Sequence, residues 1–224
     1  NTPVISRIFM FATVGVFLLI QPKNQIELFN FFYQYSAIPC ELVNFSPISE
    51  SQFYNNDCFN SQSSSIFPEK NLLLSVISAN FFHANFIHIL GNLWSFWIFG
   101  NNVEDKLGKF RFIIFLIFIG IISISVHTYL NQDSLIPIVG ASGIVSGLMG
   151  AYVFMFPNAR LLVLVPFGFL FPTTIKAKFF MVFWFLSQIL ISISDQNISW
   201  EAHVGGFVFG YLLLRIFNNK RYNI

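Results

Sequence analysis

The sequence predicts an all-α membrane protein, a bundle of six transmembrane helices with a long outer loop between the first and the second. Composition is the first reason: 55% of the 224 residues are hydrophobic, 10% are charged, and the mean hydropathy is +0.66. A soluble domain has about 25% charged residues. The second reason is a set of six apolar segments, each near the roughly 20 residues that a helix needs to cross a bilayer. The third is the unequal distribution of basic residues between the connecting loops.

The six predicted spans belong to one domain, residues 1–224. The first is not a signal peptide, because it lacks an A-x-A cleavage site and leads into QPKNQIELF. The chain opens without Met, which predicts a fragment or a processed form. Between the fourth and fifth spans, the prolines and glycine of NARLLVLVPFGFLFPTT predict a re-entrant or interfacial loop. The spans cover about residues 4–21, 80–100, 112–130, 138–156, 175–194 and 201–217.

The basic residues indicate which side of the membrane each loop faces. With six spans both termini lie on one side. If that side is the cytoplasm, ten of the 12 Lys and Arg residues are cytoplasmic, and only Lys23 and Lys70 lie outside. This positive-inside pattern predicts cytoplasmic termini, and a bacterial inner membrane fits it, with an organelle membrane still open. The net charge of +2 is too small to indicate a nucleic-acid partner.

The outer loop, about residues 22–76, is the one region of soluble character. Its segment ESQFYNNDCFNSQSSS is polar and low in complexity, which predicts a mobile loop. Both cysteines, Cys40 and Cys58, lie in this loop on the oxidising side. The sequence leaves two possibilities: a disulfide between these cysteines, or two free thiols with a structural role.

Polar side chains in three spans are predicted to meet at one depth. Such groups are costly in lipid and mark functional sites by default. Counted from the cytoplasmic helix ends at ~1.5 Å per residue, four of them lie roughly 18–24 Å up the bundle. The second span also carries His83 and the fourth Ser146, while His127 is expected at the membrane interface. The four that share a depth are His88, Asn92, Ser142 and His203.

Two ridges of small residues predict close packing of the fourth and sixth spans. Small residues let transmembrane backbones approach closely. If the ridges face each other in register, Ser142 and His203 come within hydrogen-bond reach. The simpler alternatives are a serine that serves helix packing and a buried histidine bonded to a carbonyl. The ridges are Gly143, Gly147 and Ala151 in the fourth span, and Ala202, Gly206 and Gly210 in the sixth.

The chemistry that these residues permit is acyl transfer by a serine–histidine dyad. Ser142 becomes a nucleophile when a base takes its proton, and the imidazole of His203 is suited to that task. No Asp or Glu lies inside a span to serve as a third member, because Asp133, Asp195 and Glu201 are in loops or at a helix edge. His88, Asn92 and the backbone N–H of Ser142 could donate to the developing oxyanion.

The segments HANFIHILGN, FGNNVEDKLG, GASG and AHVGGFVFG together resemble the rhomboid family of intramembrane serine proteases, in order and over nearly the whole chain. The resemblance implies a six-helix core with a water-filled site that opens outward and cleaves transmembrane segments of other membrane proteins. It implies Ser142 as nucleophile, His203 as base, His88 and Asn92 as oxyanion-stabilising residues, and no cofactor or metal. It also implies that the fifth span, from about Ile175, is a lateral gate.

Three further features belong to the same resemblance. Gly100, Glu104 and Gly108 match a family spacing, and Glu104 is interpreted as structural. Many relatives have an aromatic ring packed on the histidine where this chain has Ser146, so the support of His203 stays open. The outer loop also lacks the Trp-Arg pair of some relatives, which leaves its fold open.

Other functions fit the sequence less well. A metalloprotease would need a motif such as H-E-x-x-H, and an aspartyl protease two aspartates in spans; neither is present. A transporter also uses polar groups at mid-membrane, but no inverted repeat is visible. The main alternative is a catalytically inactive rhomboid-like protein that binds transmembrane clients. The physiological substrate and the oligomeric state cannot be predicted from the sequence.

Overall fold

A computed structural model describes residues 2–60, 63–167, 169–194 and 198–217. The chain is mostly helical, but the prediction of an all-α fold was wrong in one place, because residues predicted as a loop form a two-stranded antiparallel sheet. The elements are α1 (Ile5–Gly15) with a π-helical turn (Val16–Ile20), α2 (Gln25–Tyr35), α3 (Pro39–Asn44), α4 (Glu50–Asn55), α5 (Leu72–Ser78) with a 3-10 turn (Ala79–Phe81), α6 (Phe86–Leu107), α7 (Lys109–Leu130), α8 (Ser142–Met155), β1 (Arg160–Phe167), β2 (Phe169–Lys176), α9 (Ala177–Ser194) and α10 (Trp200–Phe217).

The lengths of the helices identify fewer spans than the sequence predicted. Among the described residues, α7 is long and apolar enough to cross a membrane. The segments Leu72–Phe81 and Phe86–Leu107, bent by 83° at their break, count as a second if they form one broken span. With 14 residues, α8 is about 21 Å long, which is shorter than a hydrocarbon core of ~30 Å. Length and composition alone therefore do not establish six spans.

Two predicted spans begin too early, because local caps and pairing set the true helix starts. The side chain of Asn85 accepts a hydrogen bond from the backbone N–H of His88 at 2.9 Å, so α6 begins at Phe86. His83 lies in the link between the 3-10 turn and α6, outside both helices. The predicted fourth span included residues 138–141, but Ile138 pairs with Ala37 in a β-bridge, and α8 begins only at Ser142.

Residues 22–60 and 63–76, called the outer segment after the loop predicted there, are folded, which corrects the prediction of a mobile loop. Four helices, α2 to α5, lie within it, and Ser49 and Gln52 form a capping box at the start of α4. A disulfide joins Cys40 to Cys58 and resolves the alternative that the sequence left open. The polar composition of this segment led to the wrong prediction, because a disulfide and a few helix caps stabilise the segment where a large apolar core is lacking.

A buried ion pair also holds the outer segment together. The carboxylate of Glu41 binds the ammonium of Lys70, and each side chain is only 1% exposed. Burial raises the pKa of Glu41, and the attraction of Lys70 opposes that rise. Burial likewise lowers the pKa of Lys70 against the attraction of Glu41. Each charge in this pair therefore depends on the other.

Helix α8 is the centre of the bundle, and ten of its 14 residues are buried. The predicted small-residue ridges of α8 and α10 face each other. A Cβ atom added to Gly206 would overlap the carbonyl oxygen of Gly143, and one added to Gly210 would overlap that of Gly147. This close approach fixes the register of the two helices that carry the site.

Glu104 ties the end of α6 to the start of α1. Its Oε1 accepts hydrogen bonds from the backbone N–H groups of Val4 and Ile5, both at 2.9 Å. Its Oε2 accepts from the N–H and the hydroxyl of Ser6, both at 2.7 Å. The carboxylate thus satisfies backbone donors that a helix start leaves unpaired, which agrees with the structural interpretation of Glu104.

Candidate active site

Ser142 and His203 are hydrogen-bonded across the α8–α10 contact. The distance between the Oγ of Ser142 and the Nε2 of His203 is 2.8 Å. Ser142 is the first residue of α8, and His203 lies in the first turn of α10. The glycine ridges hold the two backbones close together, so the side chains meet without spanning a gap.

Gln188 of α9 contacts the other side of the imidazole, at 2.8 Å between its Oε1 and the Nδ1 of His203. The amide nitrogen of Gln188 faces the carbonyl of Trp184 and the hydroxyl of Ser187, at 3.5 and 3.3 Å. This arrangement directs the amide oxygen, an acceptor, toward His203. Nδ1 then carries the proton and Nε2 is free to accept the proton of Ser142, as a general base must.

Sequence analysis did not identify Gln188. It is 4% exposed and lies in the apolar segment FWFLSQILISIS, where a buried amide is unusual. The rule that polar groups in spans mark functional sites could therefore have found it. Ser146 stands where many relatives have an aromatic ring packed on the histidine. Its hydroxyl instead donates a hydrogen bond to the carbonyl of Ser142 at 2.7 Å, within its own helix.

His88 and Asn92 lie on one face of α6 and border the same cavity as Ser142. Gly140, at φ +119°, admits the ring of His88: an added Cβ would lie 2.7 Å from its Nε2. Asn92 is 7% exposed, and its Nδ2 has no hydrogen-bond partner among the described residues. A buried, unpaired amide donor at a cavity wall is costly unless a ligand or water completes it.

The cavity has a volume of about 660 Å³ and extends from the Ser142–His203 pair along the bundle. Its wall includes Ser95, one turn beyond Asn92 on α6, and Met149, two turns beyond Ser142 on α8. The space therefore continues past the hydroxyl of Ser142 and is large enough for an amino-acid side chain.

The two remaining histidines support the site without contacting Ser142. His83 is fully buried; its Nε2 accepts from the N–H of Ala141 at 3.4 Å, and its ring lies 5.0 Å from that of His88. The side-chain amide of Gln21 bonds to both the N–H and the carbonyl of His83, each at 2.9 Å. His83 therefore positions the residue before Ser142.

His127 lies in the last turn of α7 and is only 9% exposed. Its Nδ1 lies 3.0 Å from Oε2 of Glu201, so it joins α7 to the start of α10. Glu201 was assigned to a helix edge, and this contact shows what it binds there.

Comparison with known proteins identifies related sequences. The sequence model of the Rhomboid domain matches residues 70–220. Over 131 residues the chain is 32% identical to "Putative rhomboid protease YdcA" of Bacillus subtilis (strain 168), which covers 58% of this chain and 60% of that protein. It is 27% identical over 150 residues to "Rhomboid protein 1, mitochondrial" of Saccharomyces cerevisiae, which covers 62% and 40%. It is also 27% identical over 150 residues to "Presenilin-associated rhomboid-like protein A, mitochondrial" of Danio rerio, which covers 63% and 37%. The chain thus spans less than two thirds of the length of each of these three relatives.

Proposed function

The chain belongs to the rhomboid family of membrane-embedded proteins, and we propose that it is an intramembrane serine endopeptidase. In this proposal it cleaves transmembrane segments of other membrane proteins, with Ser142 as nucleophile and His203 as general base. The observation that carries the proposal is the 2.8 Å hydrogen bond between these two side chains. The contact of Gln188 with the other imidazole nitrogen supports it, because it leaves Nε2 as the acceptor.

The reaction follows from these positions. The Oγ of Ser142 attacks the scissile carbonyl carbon while its proton passes to Nε2 of His203. The carbonyl oxygen becomes an oxyanion and accepts hydrogen bonds from Asn92 Nδ2, from His88 and from the backbone N–H of Ser142. Collapse breaks the C–N bond, and His203 gives its proton to the leaving amine. A water molecule, deprotonated by the same imidazole, then hydrolyses the acyl-enzyme and restores Ser142.

We further propose that α1, α6, α7, α8, α9 and α10 are six membrane-embedded helices with both chain termini in the cytoplasm. The distribution of basic residues supports this orientation, and it fits a bacterial inner membrane. It puts the Ser142 end of α8 toward the outer side, where the cavity supplies water. A helix as short as α8 is compatible with this arrangement, because protein surrounds it on most sides.

The test is cleavage of a model transmembrane substrate by the purified protein in vesicles. The unchanged protein should cleave, whereas Ser142→Ala and His203→Ala should not. Ser125→Ala is the matched control, since Ser125 is an exposed serine of α7 whose hydroxyl, among the described residues, bonds only to its own helix. Cleavage that survives Ser142→Ala, or that a chelator abolishes and a fluorophosphonate does not, would contradict the proposal. Substrate binding without any cleavage would favour the inactive, client-binding alternative.

A further inference from the structure

The β1–β2 hairpin is a ribbon with charged residues only at its base, and the proposed protease activity does not use it. Its strands pair antiparallel, and Arg160 lies opposite Lys176 at its base. The fifteen residues between these two cations contain no charged side chain, and most are Leu, Val, Ile or Phe. A hairpin of this composition is unusual in water, where exposed edge strands ordinarily carry charges.

The base of the hairpin is fixed to the bundle. The N–H of Ala177 donates to the carbonyl of Ala159 at 2.8 Å, and Ala177 is fully buried. Leu161 belongs to the main apolar core, and Val163, on the same face of β1, packs against that core. The ribbon is therefore a built extension of the helical core and has a defined direction.

The base lies at the end of the bundle opposite to Ser142. Phe156 follows the last residue of α8, and the ammonium of Lys106 lies 5.6 Å from its ring centre. Lys106 is near the last residue of α6, far along that helix from His88. Arg160, Lys176 and Lys178 thus join the basic residues at this end of the protein.

By sequence and register, the second face of the ribbon carries Leu and Pro side chains and one Thr, and those of its side chains that the structure describes are exposed. Leu162 is 72% exposed, and its register partner Thr174 and the nearby Pro172 are also exposed. Burying such side chains is favourable by about 25 cal/mol for each Å² of apolar surface removed from water.

The hydrogen-bonding of a two-stranded ribbon limits where it can lie. Among the described residues no third strand pairs with either outer edge of the ribbon, and the hydrocarbon core does not tolerate backbone N–H and C=O groups that lack a hydrogen-bond partner. The headgroup region supplies both hydrogen-bonding partners and apolar contact. Anionic headgroups there attract nearby Lys and Arg side chains, which matches the cations at the hairpin base.

We propose that the β1–β2 hairpin is a lipid-binding element that lies in the headgroup region of the leaflet opposite to the Ser142 end. Its exposed apolar face contacts the upper part of the acyl chains. Arg160, Lys176 and Lys178 bind anionic lipid headgroups. This proposal can be tested independently of catalysis, because the experiments measure fluorescence quenching and not cleavage.

The depth of the hairpin can be measured with one fluorescent label. The chain has two cysteines and the disulfide uses both, so Leu162→Cys supplies one reactive thiol under non-reducing conditions. After labelling with a nitrobenzoxadiazole maleimide and reconstitution in phosphatidylcholine–phosphatidylglycerol vesicles, headgroup nitroxide lipids should quench the label, and iodide should not. Glu69→Cys, an exposed position of the outer segment, is the aqueous control. Iodide quenching as strong as at Glu69→Cys, or quenching only by nitroxides at the acyl-chain ends, would overturn the proposal.

The lipid preference is tested with the same label. Nitroxide phosphatidylglycerol should quench it at least about twofold more than nitroxide phosphatidylcholine at equal content. This ratio should fall to one when Arg160, Lys176 and Lys178 are changed together to glutamine. The control changes Arg7, Lys109 and Arg111, which are exposed cations outside the hairpin, and should keep the ratio. A ratio of one in the unchanged protein, or an equal loss in the control, would refute the assignment of these cations.

Discussion

Replacing Gln188 tests whether His203 needs an acceptor from α9. Gln188→Ala removes the oxygen that lies 2.8 Å from Nδ1 and leaves a buried N–H donor without a partner. Losing one partner of a buried hydrogen bond costs about 1–3 kcal/mol. If this loss destabilises the His203 tautomer that carries its proton on Nδ1, the cleavage rate decreases about 5- to 150-fold, at 1.36 kcal/mol for each factor of ten. We therefore expect kcat to fall by this amount while the protein stays folded.

Two readouts separate this positioning role from a general loss of structure. The first is the rate at which a fluorophosphonate labels Ser142, which reports the reactivity of the serine without a protein substrate. The second is rescue: Gln188→Glu keeps an acceptor next to His203 and should recover much of the rate, whereas Gln188→Met should not. Leu190→Ala is the control on the same helix, because Leu190 is 69% exposed. Full labelling and cleavage rates in Gln188→Ala would refute the reasoning.

Three further changes test the oxyanion group, the helix contact and the outer segment. Asn92→Ala should slow turnover roughly 10²- to 10³-fold with an unchanged Tm, because it removes one oxyanion donor; an unchanged kcat would exclude that role. Gly206→Ala should lower the Tm and the activity together, since its Cβ overlaps a backbone carbonyl of α8, while Gly15→Ala in α1, where an added Cβ has open space, should change neither. Glu41→Gln should destabilise the protein by about 3–5 kcal/mol in denaturant unfolding, because Lys70 loses the partner of a buried charge. Replacing both members by apolar residues should cost much less, and an equal cost would contradict this explanation.

The sequence predicted the bounds of a helix correctly where an apolar run determines them. It failed where local hydrogen bonds determine where a helix begins or whether a strand forms instead. The predicted span 4–21 agrees to within one residue with α1 and its π-helical turn together, and the predicted span 201–217 agrees equally well with α10. Hydropathy placed the second span too early, because it does not register the cap that Asn85 provides. It also could not predict the hairpin, since alternating and continuous apolar patterns overlap in short segments rich in Val and Phe.

The candidate site was predictable where its geometry follows from the packing of two helices. The small-residue ridges of α8 and α10 specify both the contact and its register, and that contact brings Ser142 to His203. Their catalytic roles stay predictions until the variants are tested. The support of His203 was not predictable in the same way, because Gln188 contacts it from a third helix, 15 positions away in the chain.

The contrast between Ser146 and Gln188 explains why a motif comparison misses this support. A motif comparison examines fixed positions, such as the residue one turn after the serine, and finds a hydroxyl there that bonds back to its own helix. The imidazole instead takes its acceptor from α9, whose neighbouring Trp184 packs on Phe207 of α10 with 5.5 Å between the ring centres. The orientation of His203 therefore depends on the α9–α10 contact as well as on the α8–α10 contact. A change that separates α9 from α10 should weaken the reactivity of Ser142 even when the glycine ridges remain packed.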